Sequence, residues 1–125
     1  MFKLLYIEDH PAQRDIMAQM LELSGYEVAV ACDGIDGVEQ ARSSPPDLIL
    51  MDLRMPRMDG FEAIRELRVE PNTAEIPIIA ISAWASAKHK DRAMEAGAND
   101  HFTKPVDLSR LLETINRFLS KKEAP

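Results

Sequence analysis

Five short apolar runs, each followed by an amphipathic stretch, constrain this chain more than any other feature it has. The runs are Leu4-Leu5-Tyr6-Ile7, Val28-Ala29-Val30-Ala31, Leu48-Ile49-Leu50-Met51, Ile78-Ile79-Ala80-Ile81 and, weakest, His101-Phe102-Thr103. Near-continuous apolar segments of this length suit strands covered on both faces by helices. The stretches between them carry helix signals. Pro11 opens the first and Gly25 closes it. Asp59 with Glu62 reads as a capping box ahead of the third, and Gly97 ends the fourth. In the fifth, Leu108, Leu111, Leu112, Ile115, Phe118 and Leu119 form one stripe, with Asp107 as N-cap. Five strand–helix units in a row predict an α/β fold: a doubly wound five-stranded parallel sheet with right-handed crossovers and helices on both faces. At 125 residues the chain suffices for one core. Residues 1–121 read as one domain and 122–125 as a flexible tail.

The polar residues that end these runs point to chemistry. The first run ends in Glu8-Asp9, the third in Asp52, the fourth in Ser82 and the fifth in Lys104-Pro105. In an open parallel sheet the carboxyl ends of the strands share one edge, and ligands bind where the strand order reverses. Neighbouring first and third strands would bring Glu8, Asp9 and Asp52 together there. Carboxylates so placed repel by roughly 4 kcal/mol per pair at 4 Å, even in an effective dielectric of 20. A cation must offset this, or a carboxyl must keep its proton. Oxygen ligands in a wet cleft suit Mg²⁺, with Mn²⁺ as a substitute. Ser82 and Lys104 supply donors suited to the equatorial oxygens of a phosphoryl group. Asp52, ending the central strand, is the natural nucleophile for an aspartyl phosphate.

Composition narrows the setting. A net charge of −6, from 21 acidic and 15 basic residues, argues against a nucleic-acid-binding surface. No apolar run reaches the roughly 20 residues a membrane helix needs, and carboxylates break the N-terminal apolar stretch before a signal-peptide core could form. The single cysteine, Cys32, fits a reducing compartment, so the expected location is the cytoplasm.

Taken together, Glu8-Asp9, Met51-Asp52-Leu53-Arg54-Met55-Pro56 through Met58-Asp59-Gly60, Pro77-Ile78-Ile79-Ala80-Ile81-Ser82-Ala83 and Lys104-Pro105 resemble the receiver domain of bacterial response regulators, as in single-domain chemotaxis regulators of two-component phosphorelays. The resemblance covers essentially the whole chain, in matching order and spacing. It implies a flavodoxin-like fold with strand order 2-1-3-4-5. It implies Asp52 as phosphoacceptor; Mg²⁺ held by Asp9, Asp52 and the backbone carbonyl of Arg54, with Glu8 acting through water; Ser82 as switch hydroxyl; and Lys104 bridging the phosphoryl group and the acids. A cis bond before Pro105 is expected as well. The implied donor is a sensor histidine kinase or histidine phosphotransfer protein. Output would be a protein contact on the face of the fourth helix, fifth strand and fifth helix of a monomer, with neither nucleic acid nor membrane involved. Such a domain is not an enzyme in the ordinary sense, since it catalyses only its own phosphorylation and dephosphorylation. Two positions depart from the family pattern: His101 stands where a tyrosine or phenylalanine is usual, and Trp84 is bulky beside the phosphoryl site. A histidine there would add pH sensitivity to the switch.

Other readings weigh less. A flavodoxin-like cofactor site needs a Ser/Thr- or Gly-rich loop after the first strand, where this chain has two acids. Aspartate-based phosphatases carry a second acid two residues after the nucleophile, where this chain has Arg54. A receiver serving only for binding would tolerate loss of one of Asp9, Asp52, Ser82 or Lys104, and all four are present. Asp59 reads as a helix cap, His10 as a loop residue, His89 as part of a solvated helix face and the seven methionines mostly as core. Trp84 reads as a partner contact in preference to packing.

Overall fold

The computed structural model describes residues 1–55, 57–84 and 86–123. Pro56 of the loop motif, and Ala124 and Pro125 of the expected tail, lie outside the described residues. Strands and helices alternate: β1 (Lys3–Ile7), α1 (Pro11–Leu23), β2 (Glu27–Ala31), α2 (Gly34–Ser43), β3 (Leu48–Asp52), α3 (Gly60–Val69), β4 (Ile78–Ser82), α4 (Ala87–Ala96), β5 (Asp100–Thr103) and α5 (Leu108–Glu123). All pairings are parallel, in the order β2-β1-β3-β4-β5. This is the expected doubly wound, flavodoxin-like architecture.

Strand alternation explains why both faces need helices. Leu5, Ile7, Ile49, Met51, Ile78 and Ala80 point to one face, under α2, α3 and α4 through Val38, Phe61, Ile64, Leu67 and Ala93. Leu4, Tyr6, Leu48, Leu50, Ile79 and Ile81 point to the other, under Leu21 of α1 and Leu111, Ile115 and Leu119 of α5. Burying each such Leu or Ile contributes about 1.5–3 kcal/mol. β3 and β4 are buried along their whole length, and β5, the weakest run in the sequence, is an edge strand only partly covered. α5 continues through Glu123, so its backbone ladder outlasts the apolar stripe that ends at Leu119, and residues 122 and 123 of the expected tail are helical.

The end signals act as the sequence implies. Pro11 stands at the start of α1, and Gly25 and Gly97 take positive φ (100° and 124°) just beyond α1 and at the cap of α4. Asp59 caps α3, its Oδ1 accepting from Glu62 N–H at 2.9 Å. Asp107 does the same for α5, accepting from Arg110 N–H at 3.2 Å. Arg68, on α3, ties several turns together. Its guanidinium donates to the carbonyls of Ile76 (2.8 Å), Ala74 (3.0 Å) and Gly97 (3.0 Å) and to Asn99 Oδ1 (2.9 Å), joining the start of β4 to the C-terminal end of α4.

Candidate functional site

The strand register assembles the site. Ile7 lies beside Met51, so Glu8 and Asp52 follow side by side; Asp52 pairs with Ile81, and Ser82 with Thr103, just before Lys104. Glu8, Asp9 and Asp52 each offer a carboxylate oxygen, and these atoms all lie within 4.8 Å of one another. Glu8 and Asp52 are buried, and Asp9 is exposed at the cleft mouth, which Arg54 and Lys104 also border. The Lys104 Nζ donates to Glu8 Oε1 at 2.8 Å, to Asp52 Oδ2 at 2.9 Å and to Gln13 Oε1 at 2.8 Å. Arg54 N–H donates to Asp52 Oδ1 at 2.9 Å. His10 N–H and the Tyr6 hydroxyl each donate to Glu8 at 3.3 Å. The loop after β3 returns to Gly60, the first residue of α3, which packs so closely on the backbone of Asp52 and Leu53 that a side chain would collide with it.

The electrostatics reflect crowding of negative charge. Asp9 holds its proton more tightly than an ordinary aspartate, first through the partial loss of water at the cleft wall and then through the hydrogen bond and charge of Glu8. Tyr6 is pushed far up by burial and by the charges of Glu8 and Asp52. Burial works against the charged Lys104, but its hydrogen bonds to Glu8 and Asp52 and their charges outweigh this and raise its pKa. One ammonium faces three carboxylates, leaving a net negative cleft lined by oxygen donors. That donor set, three carboxylates bordering open space, fits a hard divalent cation.

Ser82 is fully buried at the end of β4. Its Oγ donates to the Trp84 carbonyl at 3.3 Å and lies 3.1 Å from His101 Nε2, so His101 turns inward onto the Ser82 hydroxyl. Burial, and next the charge of Lys90, hold the His101 pKa below the ordinary value; His89 adds to this, and Asp100 opposes it. The Lys104–Pro105 bond is cis, as expected.

Two expectations change. Trp84 packs on the core as half-buried structure: its ring stacks on Phe61 (centroids 6.1 Å apart) and on His89 (4.5 Å). Its apolar area is better covered by those rings than left to solvent, so the reading as a partner contact gives way to packing. His89 keeps its place on a solvated helix face, between the exposed Lys88 and Lys90, while joining that stack and setting its Nδ1 2.7 Å from Ser86 Oγ. His10 is more than a loop residue, because its Nδ1 caps α1 by accepting from Gln13 N–H at 3.4 Å. Sequence reasoning passed over Tyr6, Gln13 and an ion pair of Arg57 with the buried Asp33. Tyr6 was accessible from strand alternation, being two residues before Glu8. Gln13, one turn past Asp9, carried a weaker signal, and the Asp33–Arg57 pair joins two loops with none.

A family model described as the response regulator receiver domain matches residues 4–116. The chain belongs to the response regulator receiver family. The receiver is 39% identical over 120 residues to Protein PilH of Pseudomonas aeruginosa, covering 96% of this chain and 99% of that one. It is 37% identical over 121 residues to the DNA-binding dual master transcriptional regulator RpaA of Synechocystis, covering 97% of this chain but only half of that protein's length. Among solved structures, the receiver domain of the sensor histidine kinase PA1611 from Pseudomonas aeruginosa, which has a magnesium ion coordinated in its active-site cleft, superposes with a TM-score of 0.89 at 35% identity, over 95% of this chain and 98% of that one. As a receiver of a two-component system, the domain is a phosphoacceptor and signalling module, and no helix among its described residues is long and apolar enough to cross a membrane.

Proposed function

We propose that Asp52 accepts a phosphoryl group from a phosphohistidine of a partner kinase or phosphotransfer protein, in an Mg²⁺-dependent reaction that switches a protein-binding surface. The observation that carries this reading is the cluster itself: three carboxylates with ligand atoms within 4.8 Å, two of them, Glu8 and Asp52, bridged by one ammonium at 2.8 and 2.9 Å. Asp9, Asp52 and the carbonyl of Arg54 would hold Mg²⁺, with Glu8 acting through water. The ion supplies positive charge that lets an anionic phosphoryl group approach three acids and that stabilises charge developing during transfer.

The remaining work falls to the chain. An Asp52 carboxylate oxygen forms the new bond to phosphorus as the phosphorus–nitrogen bond of the phosphohistidine breaks, and the imidazole leaves as a neutral base after taking up a proton. Lys104 donates to a phosphoryl oxygen, and Ser82 leaves His101 and the Trp84 carbonyl to donate to another. That exchange biases the loop after β4 together with α4, between two pre-existing arrangements. The face of α4, β5 and α5 carries the output to a protein target, and hydrolysis of the acyl phosphate resets the domain. Residues 1–121 form the receiver unit in this reading, and the setting is a cytoplasmic monomer.

Intact-mass measurement after incubation with acetyl phosphate and Mg²⁺ tests the proposal. The wild type is expected to gain one phosphoryl mass, and Asp52→Asn or omission of Mg²⁺ to abolish the gain. Labelling that persists in Asp52→Asn would move the acceptor elsewhere.

A further inference from the structure

The ammonium of Lys104 has three N–H donors, and three acceptors receive them at nearly equal distance: Glu8 Oε1 at 2.8 Å, Asp52 Oδ2 at 2.9 Å and Gln13 Oε1 at 2.8 Å. Two of these are carboxylates on side chains only 1% and 5% exposed, fixed by the ends of β1 and β3. The third is a neutral amide on the first turn of α1, at the protein surface. Lys104 itself is 24% exposed, and it is approached from the solvent side. Two acceptors alone define a line about which the ammonium can pivot toward water. A third acceptor on another element closes a tripod and fixes the direction of every N–H.

We propose that Gln13 is a positioning residue for phosphoryl transfer, holding Lys104 so that the N–H now on Asp52 is aimed where a phosphoryl oxygen arrives. The inference rests on the reading of Asp52 as phosphoacceptor. Gln13 keeps its own N–H of Lys104 throughout, so only one hydrogen bond is exchanged as the phosphoryl group binds. Its place in the molecule supports this. Gln13 lines both the acidic cleft and the adjoining apolar groove of Ile16, Met17, Met20, Pro105 and Val106, so a donor seated against α1 meets the residue that orients Lys104. Being neutral, Gln13 orients the ammonium without adding a fourth negative charge opposite an incoming anion.

Gln13→Leu keeps the size and helix propensity of the side chain and removes the acceptor. Its phosphorylation rate with acetyl phosphate and Mg²⁺ is expected to fall about fivefold, the equivalent of one net hydrogen bond, with an unchanged thermal midpoint. In metal-free protein the ¹⁵Nζ ammonium resonance of Lys104, kept in slow exchange by the tripod, is expected to broaden or vanish in Gln13→Leu and to survive in Gln13→Glu, which keeps an acceptor at the same reach. A Gln13→Leu protein that retains both the wild-type rate and a sharp Lys104 resonance overturns the proposal. A wild type that takes up no phosphoryl group overturns the reading of Asp52 instead, and the Lys104 resonance, which needs no phosphorylation, still decides the role of Gln13.

Discussion

His101 shows how much one substitution within a familiar frame can alter. Its Nε2 lies 3.1 Å from the Ser82 hydroxyl, and that hydroxyl also donates to the Trp84 carbonyl. A neutral imidazole protonated on Nε2 satisfies both contacts, with Ser82 accepting from the ring. Burial and the charge of Lys90 keep the ring neutral below the ordinary value of 6.5. The sign for stability follows: the unfolded chain takes up a proton near 6.5 and the folded chain only at lower pH, so the contribution is intact above 6.5 and is lost as the pH falls from there through the folded pKa. His101→Phe is expected to flatten this part of the stability–pH curve, measured by urea unfolding at several pH values between neutral and mildly acidic. An unchanged curve would mean that His101 titrates as it does in the unfolded chain. Tyrosine and phenylalanine lack this proton, so a receiver with either at this position would have no such dependence.

Elements were legible wherever burial imposed a pattern. β3 and β4, covered on both faces, stand out as uninterrupted apolar runs, and β5 barely registers because its edge position leaves it half in solvent. α4 was bounded chiefly by Gly97, since only Ala93 and Ala96 of its ten residues are buried. The site residues that end strands could be read from the sequence, because chain direction alone delivers them to one edge. What could not be read are contacts between elements distant in sequence, such as Lys104 with Gln13 or Asp33 with Arg57. The last of these fastens two loops. Asp33 caps α2 by accepting from Asp36 N–H at 2.8 Å and also binds Arg57, in the loop between β3 and α3; Gly34 leaves room for the Met58 carbonyl of the same loop. Asp33→Ala is expected to cost about 1–2 kcal/mol through the lost cap alone, with Arg57→Ala, which spares the cap, costing less. Urea denaturation of the two variants gives the comparison.

For the whole molecule, the acidic edge sets the terms of stability. Without a cation, the fold holds Glu8, Asp9 and Asp52 together against their repulsion, offset in part by Lys104. Mg²⁺ binding to the folded state alone should raise the thermal midpoint, by the equivalent of about 1.4 kcal/mol at ten times its dissociation constant. Asp52→Asn should be more stable than the wild type in metal-free buffer, by less than the roughly 4 kcal/mol of one unshielded pair at 4 Å, and should respond weakly to Mg²⁺. Calorimetry with and without Mg²⁺ checks both; an Asp52→Asn protein less stable than wild type in metal-free buffer would show that Lys104 already neutralises the cluster.

The guanidinium of Arg68 gives the receiver a fixed post. It fastens the C-terminal end of α4 at Gly97 to the start of β4, while the N-terminal end rests on the Ser86 cap and the rings of Trp84 and His89. A rod pinned at one end and leaning on a stack at the other would swing, if it moved, as a gate does, with displacement growing toward the free edge. Amide hydrogens near residue 96 should therefore exchange more slowly than those near residue 90, and replacing Arg68 with methionine should erase the gradient by unhanging the gate.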